Sequence, residues 1–217
     1  MPAQMPPQTP ISIRRLRRSE LPADTIALAR FLIGKIVVRK LPGLRLSGRI
    51  VETEAYPPRD PAAHHFRGPT PRNRSMFLRR GHAYVYFSYG NHFMLNVSAE
   101  IPGIGGGVLI RALQPIEGIE KMEDHRNTTR LLDLARGPGR LASALRIDRS
   151  LDGTDLCAPG PLWLGVITNP PTAGPERGSL SRLGKSPRIG ITRAAHRLLR
   201  FYERGSPFVS GPLSLRS

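Results

Sequence analysis

Two carboxylates, a tyrosine and a histidine lie close together in the first third of this chain. Glu52, Glu54 and Tyr56 occupy alternate positions, and His64 follows a short distance later. The residues between them favour an extended conformation, and alternate side chains of a strand point to the same face. We therefore expect both carboxylates and Tyr56 on one face, an arrangement suited to acid–base chemistry.

The charge of the chain indicates a polyanionic partner. It has 33 lysine and arginine residues against 16 aspartate and glutamate residues, a formal net charge of +17, and lysine occurs only at positions 35, 40, 121 and 185. Nearly all of the positive charge is therefore guanidinium, whose planar fork can bind two phosphate oxygens at once. This favours a nucleic acid partner, although a charge that serves only solubility remains an open alternative.

Several other classes of protein are disfavoured. No apolar run approaches the about 20 residues of a transmembrane helix, and the first residues contain no continuous apolar segment typical of a secretory signal. The single cysteine, Cys157, excludes an internal disulfide and disfavours a zinc site built from thiolates. We expect an intracellular, cytoplasmic protein associated with the nucleoid, and neither a metal nor an organic cofactor is implied.

The length suits one domain preceded by a basic arm. Residues 1–19 are rich in proline and arginine and predict a flexible arm, and residues 20–217 predict a single domain with one core. Strands and helices are mixed without a regular βαβ period, so we predict an α+β fold. A monomer is the expected state.

A β-hairpin is the firmest local prediction. Gly90-Asn91 suits a tight turn with positive φ, and it separates the strand-like residues 84–89 from residues 92–98. Further strands are predicted at residues 35–39, 44–55 and 107–112.

The helices are predicted from capping signals and apolar periodicity. Asp24 and Gly34 delimit the first helix, and Asp60, followed by proline, predicts a short helix that carries His64. Two further helices are predicted at residues 117–126 and 140–147.

Two loops have no assigned role. The Gly137-Pro138-Gly139 turn beside Arg140 suits either a phosphate site or an ordinary tight turn, and both interpretations remain open. Residues 168–187 are rich in proline and glycine and predict a long surface loop.

One chemistry uses the carboxylates, the aromatic residues and the basic surface together. In the hydrolysis of a glycosidic bond, Glu54 would activate water, Arg111 would orient it, and Tyr56, His64 and Tyr86 would form the walls of a base pocket. Reaching such a bond in duplex DNA requires flipping the nucleotide out of the stack.

The residues alone leave alternatives open. Tyr89, directly before the predicted turn, is placed to wedge between bases, but tyrosines in strands more commonly pack in a sheet. Either Glu52 or Glu54 suits the base, and either suits half of a structural ion pair. A basic nucleic-acid-binding protein without catalysis and an enzyme acting on free nucleosides are the competing functions.

Seven blocks in the sequence resemble one known family. The chain resembles the alkyladenine (3-methyladenine) DNA glycosylases from about residue 21 to residue 210. The blocks are residues 51–56 (VETEAY), 62–64 (AAH), 70–77 (TPRNRSMF), 84–90 (YVYFSYG), 96–97 (NV), 108–113 (VLIRAL) and 204–207 (RGSP).

The resemblance implies a mechanism and a fold. It implies a monofunctional glycosylase that flips alkylated purines out of double-stranded DNA and hydrolyses the N-glycosidic bond, which starts base excision repair. The implied fold is a single mixed α+β domain around a curved antiparallel sheet with a protruding hairpin. The matched blocks contain no lysine, so a Schiff-base lyase activity is not expected.

The resemblance also implies residue roles. Glu54 is the expected general base, and Arg111 is expected to position the water with a backbone carbonyl near Ile189. Asn96 is expected to exclude the exocyclic groups of normal purines, and Tyr89 to intercalate. The implied base-binding residues are Tyr56, His64 and Tyr86.

Overall fold

The fold is known from a computed structural model, which describes residues 11–88, 90–169 and 183–212. Nine strands in these ranges form one sheet in which all pairings are antiparallel. The strands are β1 Ile13–Arg15, β2 Ile36–Leu41, β3 Leu44–Tyr56, β4 Ala83–Ser88, β5 His92–Ser98, β6 Gly107–Glu117, β7 Leu162–Ile167, β8 Leu183–Ser186 and β9 Arg200–Glu203. With four α-helices in the same ranges, the mixed α+β prediction is confirmed.

The long strand β3 organises the sheet. The strand order is β1-β7-β2-β3-β6-β5-β4, and β9 pairs with both β3 and β8. One edge of β3 pairs with β6, while β2 and then β9 pair along its other edge. The register with β6 shifts on either side of Glu52. Because β3 pairs with three strands, residues from distant parts of the chain lie beside Glu52 and Glu54.

The helix α1, Thr25–Leu32, covers the face of β3 opposite the carboxylates. Asp24 caps it by accepting a hydrogen bond from the amide of Ala27 at 2.7 Å, as predicted. Its buried Leu28 packs in the main core, and Thr53 of β3 donates its hydroxyl to the carbonyl of Ala29 at 2.9 Å. Thr53 therefore points to α1, which agrees with the predicted alternation of faces.

The remaining helices pack together, and α4 places them against β5 and β6. They are α2 Ile119–Arg126, α3 Leu131–Leu134 and α4 Pro138–Ala144. The short α4 contacts β5 and β6 and buries Leu141 and Ala142 in the core. Among the helices of the described ranges, none has the length and apolar character of a membrane-spanning segment.

The residues on either side of the predicted turn form two paired strands. β4 and β5 pair from Ala83 opposite Val97 to Ser88 opposite His92, and Gly90 has a positive φ of 71°. Tyr89, the residue expected to intercalate, lies outside the described residues.

Three local predictions are corrected. Residues 13–15, assigned to the flexible arm, form β1 because they pair with β7; residues 1–10 lie outside the described residues. Residues 61–67 form turns and a bend rather than a short helix, since the Asp60 carboxylate is held by Arg188 as well as by a local amide. In the predicted 168–187 loop, residues 183–186 form strand β8, and residues 170–182 lie outside the described residues.

Candidate active site

A cavity of about 570 Å³ opens where β3, β6 and the β4–β5 hairpin meet. Six of the eight predicted site residues line it. They are Tyr56, His64, Tyr86, Asn96, Arg111 and Ile189. The structure therefore brings together residues that are far apart in the sequence.

The cavity has an aromatic wall made by the hairpin and the loop before it. The rings of His64 and Tyr86 meet edge to face with centroids 4.5 Å apart, and those of Tyr84 and Tyr86 stack at 5.3 Å. Nδ1 of His64 lies 3.0 Å from the Tyr84 hydroxyl. Burial, and then the nearby charge of Arg72, lower the pKa of His64, so the ring is neutral at neutral pH. Such a wall suits a planar aromatic ligand.

Tyr84 belongs to this site although the sequence analysis gave it no role. It is two residues from Tyr86 on β4, so both side chains are on one face of the strand. This spacing is the signal that would have found it.

Glu54 lies directly behind the cavity, with a side chain that is 0% exposed. Its Oε1 accepts hydrogen bonds from the amide of Ile189 at 2.7 Å and pairs with Nη1 of Arg111 at 3.1 Å. Its Oε2 accepts from the Tyr56 hydroxyl at 2.9 Å. All three partners line the cavity, so the carboxylate is held in one orientation by the residues that a ligand would touch.

The hydroxyl of Tyr56 acts as a donor in this arrangement. Burial, and then the charge of Glu54, raise the pKa of Tyr56 well above its ordinary value. The phenol therefore keeps its proton at physiological pH and donates a hydrogen bond to Glu54.

Glu52 has a different environment from Glu54. Its Oε1 accepts from Nε of Arg111 at 2.9 Å and from Nε of Arg200 at 2.7 Å, and its Oε2 accepts from the amide of Ser210 at 2.6 Å. Arg200 is itself 0% exposed. Glu52 thus joins β3 to β9 and to the segment that follows β9. This arrangement is typical of a structural ion pair.

Arg111 connects the two carboxylates. Burial opposes the charge of its guanidinium, but Glu54 and then Glu52 outweigh burial and raise the pKa of Arg111. The side chain is 8% exposed, and it is fixed at the cavity wall by bonds to both acids. A fixed cation in this place can orient a water molecule or an anion beside Glu54.

A second buried ion pair, missed by the sequence analysis, fixes the opposite side of the site. Arg188 donates to Asp60 at 2.6 Å and to the carbonyl of Ala55 at 3.0 Å, and both charged side chains are 0% exposed. The guanidinium also lies 4.5 Å from the centre of the Tyr56 ring. Since Arg188 precedes Ile189, this pair positions both the amide and the tyrosine that hold Glu54.

The predicted residue Asn96, and His65 beside His64, have more limited contacts. Asn96 is buried and donates through Nδ2 to the carbonyl of Tyr84 at 3.3 Å. His65 is also buried, with Nε2 3.1 Å from the carbonyl of Pro57 and its ring edge-on to Phe77. The two neighbouring histidines therefore differ, because His64 lines the cavity.

Comparisons with known proteins identify the family of the chain. A sequence model described as methylpurine-DNA glycosylase (MPG) matches residues 19–207. A protein of Mesorhizobium japonicum named "Putative 3-methyladenine DNA glycosylase" is 65% identical over 93% of this chain and 92% of its own length. A protein of the same name from Paraburkholderia phytofirmans is 51% identical, over 94% and 92%.

A human relative is similar over most of the chain. The human protein named "DNA-3-methyladenine glycosylase" is 44% identical over 85% of this chain and 64% of its own length. These matches confirm the predicted class of enzyme, a hydrolase that acts as a DNA glycosylase, and the chain belongs to the methylpurine-DNA glycosylase family.

Proposed function

We propose that the protein removes 3-methyladenine and related alkylated purines from double-stranded DNA by hydrolysing the N-glycosidic bond of a flipped nucleotide. The observation that carries the proposal is the contact of Glu54 with three residues of an aromatic cavity. The cavity volume of about 570 Å³ is within the range of about 300–1,000 Å³ typical of small-molecule sites.

In the proposed reaction Glu54 is the general base. A water oxygen forms a bond to C1′ of the sugar while the bond from C1′ to the purine nitrogen breaks, and the water proton passes to Glu54. The electron pair of the broken bond goes to the purine. Arg111 orients the water together with the carbonyl of Ile189, and the Tyr56 hydroxyl keeps Oε2 of Glu54 in place.

Alkylation makes the purine a better leaving group than a normal purine. A purine methylated at N3 or N7 carries a positive charge and leaves as a neutral base without an acid to protonate it. The aromatic wall attracts such a cation, and neutral His64 does not repel it. Tyr56, His64 and Tyr86 hold the base, and Asn96 restricts the exocyclic groups that enter.

Base flipping is the remaining part of the proposal. The hairpin of β4 and β5 ends beside the cavity, since Ser88 at its tip is one of the lining residues. Tyr89 follows directly and fills the space that the flipped base leaves in the duplex.

The test is release of free 3-methyladenine from methylated duplex DNA by the purified protein, with the methylated free nucleoside as the comparison substrate. We expect release from the duplex and little from the nucleoside, because the basic surface contributes to substrate binding only when phosphates are present. Equal turnover of both substrates, or release from neither, would contradict the proposal.

A further inference from the structure

A second cavity, of about 380 Å³, lies next to the base cavity. Its six lining residues are Arg111, Arg136, Gly137, Arg140, Ser210 and Gly211. The two cavities meet at Arg111, which lines both, and at Gly137-Pro138, since Pro138 lines the base cavity. A wall of arginine, glycine and serine suits an anion rather than a base.

The charge around this cavity is strongly positive. Arg136 and Arg140 bind the same oxygen of Asp133, at 3.1 and 2.8 Å, and Arg130 lies 3.3 Å from its other oxygen. Partial desolvation works to raise the pKa of Asp133, but the arginines outweigh it and lower the pKa overall. Three guanidinium groups thus share one carboxylate, which leaves an excess of positive charge at the cavity.

Arg136 and Arg140, the two lining arginines beside Asp133, can bind a further ligand. Their side chains are 28% and 45% exposed. Each bonds to Asp133 through one terminal nitrogen, Nη2 of Arg136 and Nη1 of Arg140. A guanidinium has five N–H donors, so the fork of each arginine has further donors for the oxygens of a phosphate.

We infer that this cavity binds a phosphodiester group of the damaged strand, at a linkage adjacent to the flipped nucleotide. The inference rests on the proposed function, because it places the sugar of that nucleotide where the two cavities meet at Arg111. The base then enters the aromatic cavity and a neighbouring phosphate enters the arginine cavity. Arg136 and Arg140 hold that phosphate and so fix the sugar in front of Glu54.

The test uses duplex DNA that contains a stable tetrahydrofuran analogue of an abasic site, which requires no bound base. Uncharged methylphosphonate replaces the linkage on the 5′ side or on the 3′ side of the analogue. Dissociation constants are measured by fluorescence anisotropy for the wild-type protein, Arg136→Gln and Arg140→Gln. Arg17→Gln is the matched control, because Arg17 is 79% exposed and lies beside β1, far along the sheet from β6.

At one of the two linkages, we expect methylphosphonate to weaken binding by the wild-type protein several-fold and to weaken Arg140→Gln much less. The coupling between the two changes should be at least about threefold. Arg140→Gln should also reduce the slope of log affinity against log salt concentration by about 1. Arg17→Gln should show no coupling at either linkage.

Independent effects of methylphosphonate and Arg140→Gln at both linkages would overturn the inference. A salt slope that changes no more than in the Arg17→Gln control would overturn it as well. Release of 3-methyladenine by the wild-type protein, measured on the same preparation, separates the two claims. If release is intact and coupling is absent, only the phosphate site is wrong, whereas absent release refutes the proposed function itself.

Discussion

Replacing Arg188 with methionine should destabilise the protein strongly. The side chains of Arg188 and Asp60 are both 0% exposed, and breaking a buried ion pair leaves an unpaired charge at a cost of about 3–5 kcal/mol. Arg197 lies 3.6 Å from Asp60 and is 38% exposed, so it offsets part of the loss. We therefore expect about 3 kcal/mol, which for a domain of this size lowers the Tm by roughly 6–12 °C.

The assay is urea unfolding of the wild-type protein and three variants. Asp60→Asn/Arg188→Met should regain part of the stability that Arg188→Met loses, because the unpaired carboxylate is removed with the cation. Lys121→Gln is the surface control, since its pair with Asp124 is half exposed, and it should change the free energy of unfolding by less than about 1 kcal/mol.

Two results would refute this reasoning. A loss in Arg188→Met no larger than in the surface control would mean that the buried pair contributes little. A double variant no more stable than Arg188→Met would mean that the loss comes from packing and not from the unpaired charge.

Three further predictions concern the cavity and the hairpin. Tyr56→Phe removes the hydrogen bond to Glu54 and should slow single-turnover base release about tenfold; an unchanged rate would show that the hydroxyl does not position the carboxylate. Burial and then Arg72 lower the pKa of His64, so the unfolded chain takes up a proton at higher pH than the folded protein, and stability falls as the pH drops below about 6.5. His64→Asn should make the urea midpoint less sensitive to pH between pH 7.5 and 5.5, and an equal sensitivity would contradict this. Tyr89→Ser should weaken binding to duplex DNA more than binding to single strands, measured by anisotropy. An unaltered ratio of the two affinities would show that Tyr89 does not intercalate.

Local patterns predicted much of the fold. Asp24 before an apolar run predicted the capped helix α1, and Gly90-Asn91 predicted the pairing of β4 with β5. These signals succeed because caps and tight turns depend on residues a few positions apart.

Long-range contacts explain the local predictions that failed. Asp60 has the sequence signature of a helix start, but its carboxylate pairs with Arg188, 128 residues away. Residues 13–15 have the composition of a flexible arm, yet pairing with β7 places them in the sheet. Neither contact leaves a signal in the sequence near these residues.

The same limit applies to the choice between the two glutamates. Their spacing predicted a shared face, which their common contact with Arg111 confirms. The spacing did not distinguish the roles of the two glutamates, since their roles depend on partners from β9 and from the segment that contains Ile189. Arg200 and Ser210 enclose Glu52, while the partners of Glu54 line the cavity.

The most direct test of the account compares Glu54→Gln with Glu120→Gln, the same chemical change at an exposed position of α2. Release of 3-methyladenine from methylated duplex DNA and binding to that duplex are measured for both variants and for the wild-type protein. We predict that Glu54→Gln binds the duplex but releases no base, while Glu120→Gln matches the wild type in both measurements. Base release by Glu54→Gln at the wild-type rate would contradict the assignment of Glu54 as the general base.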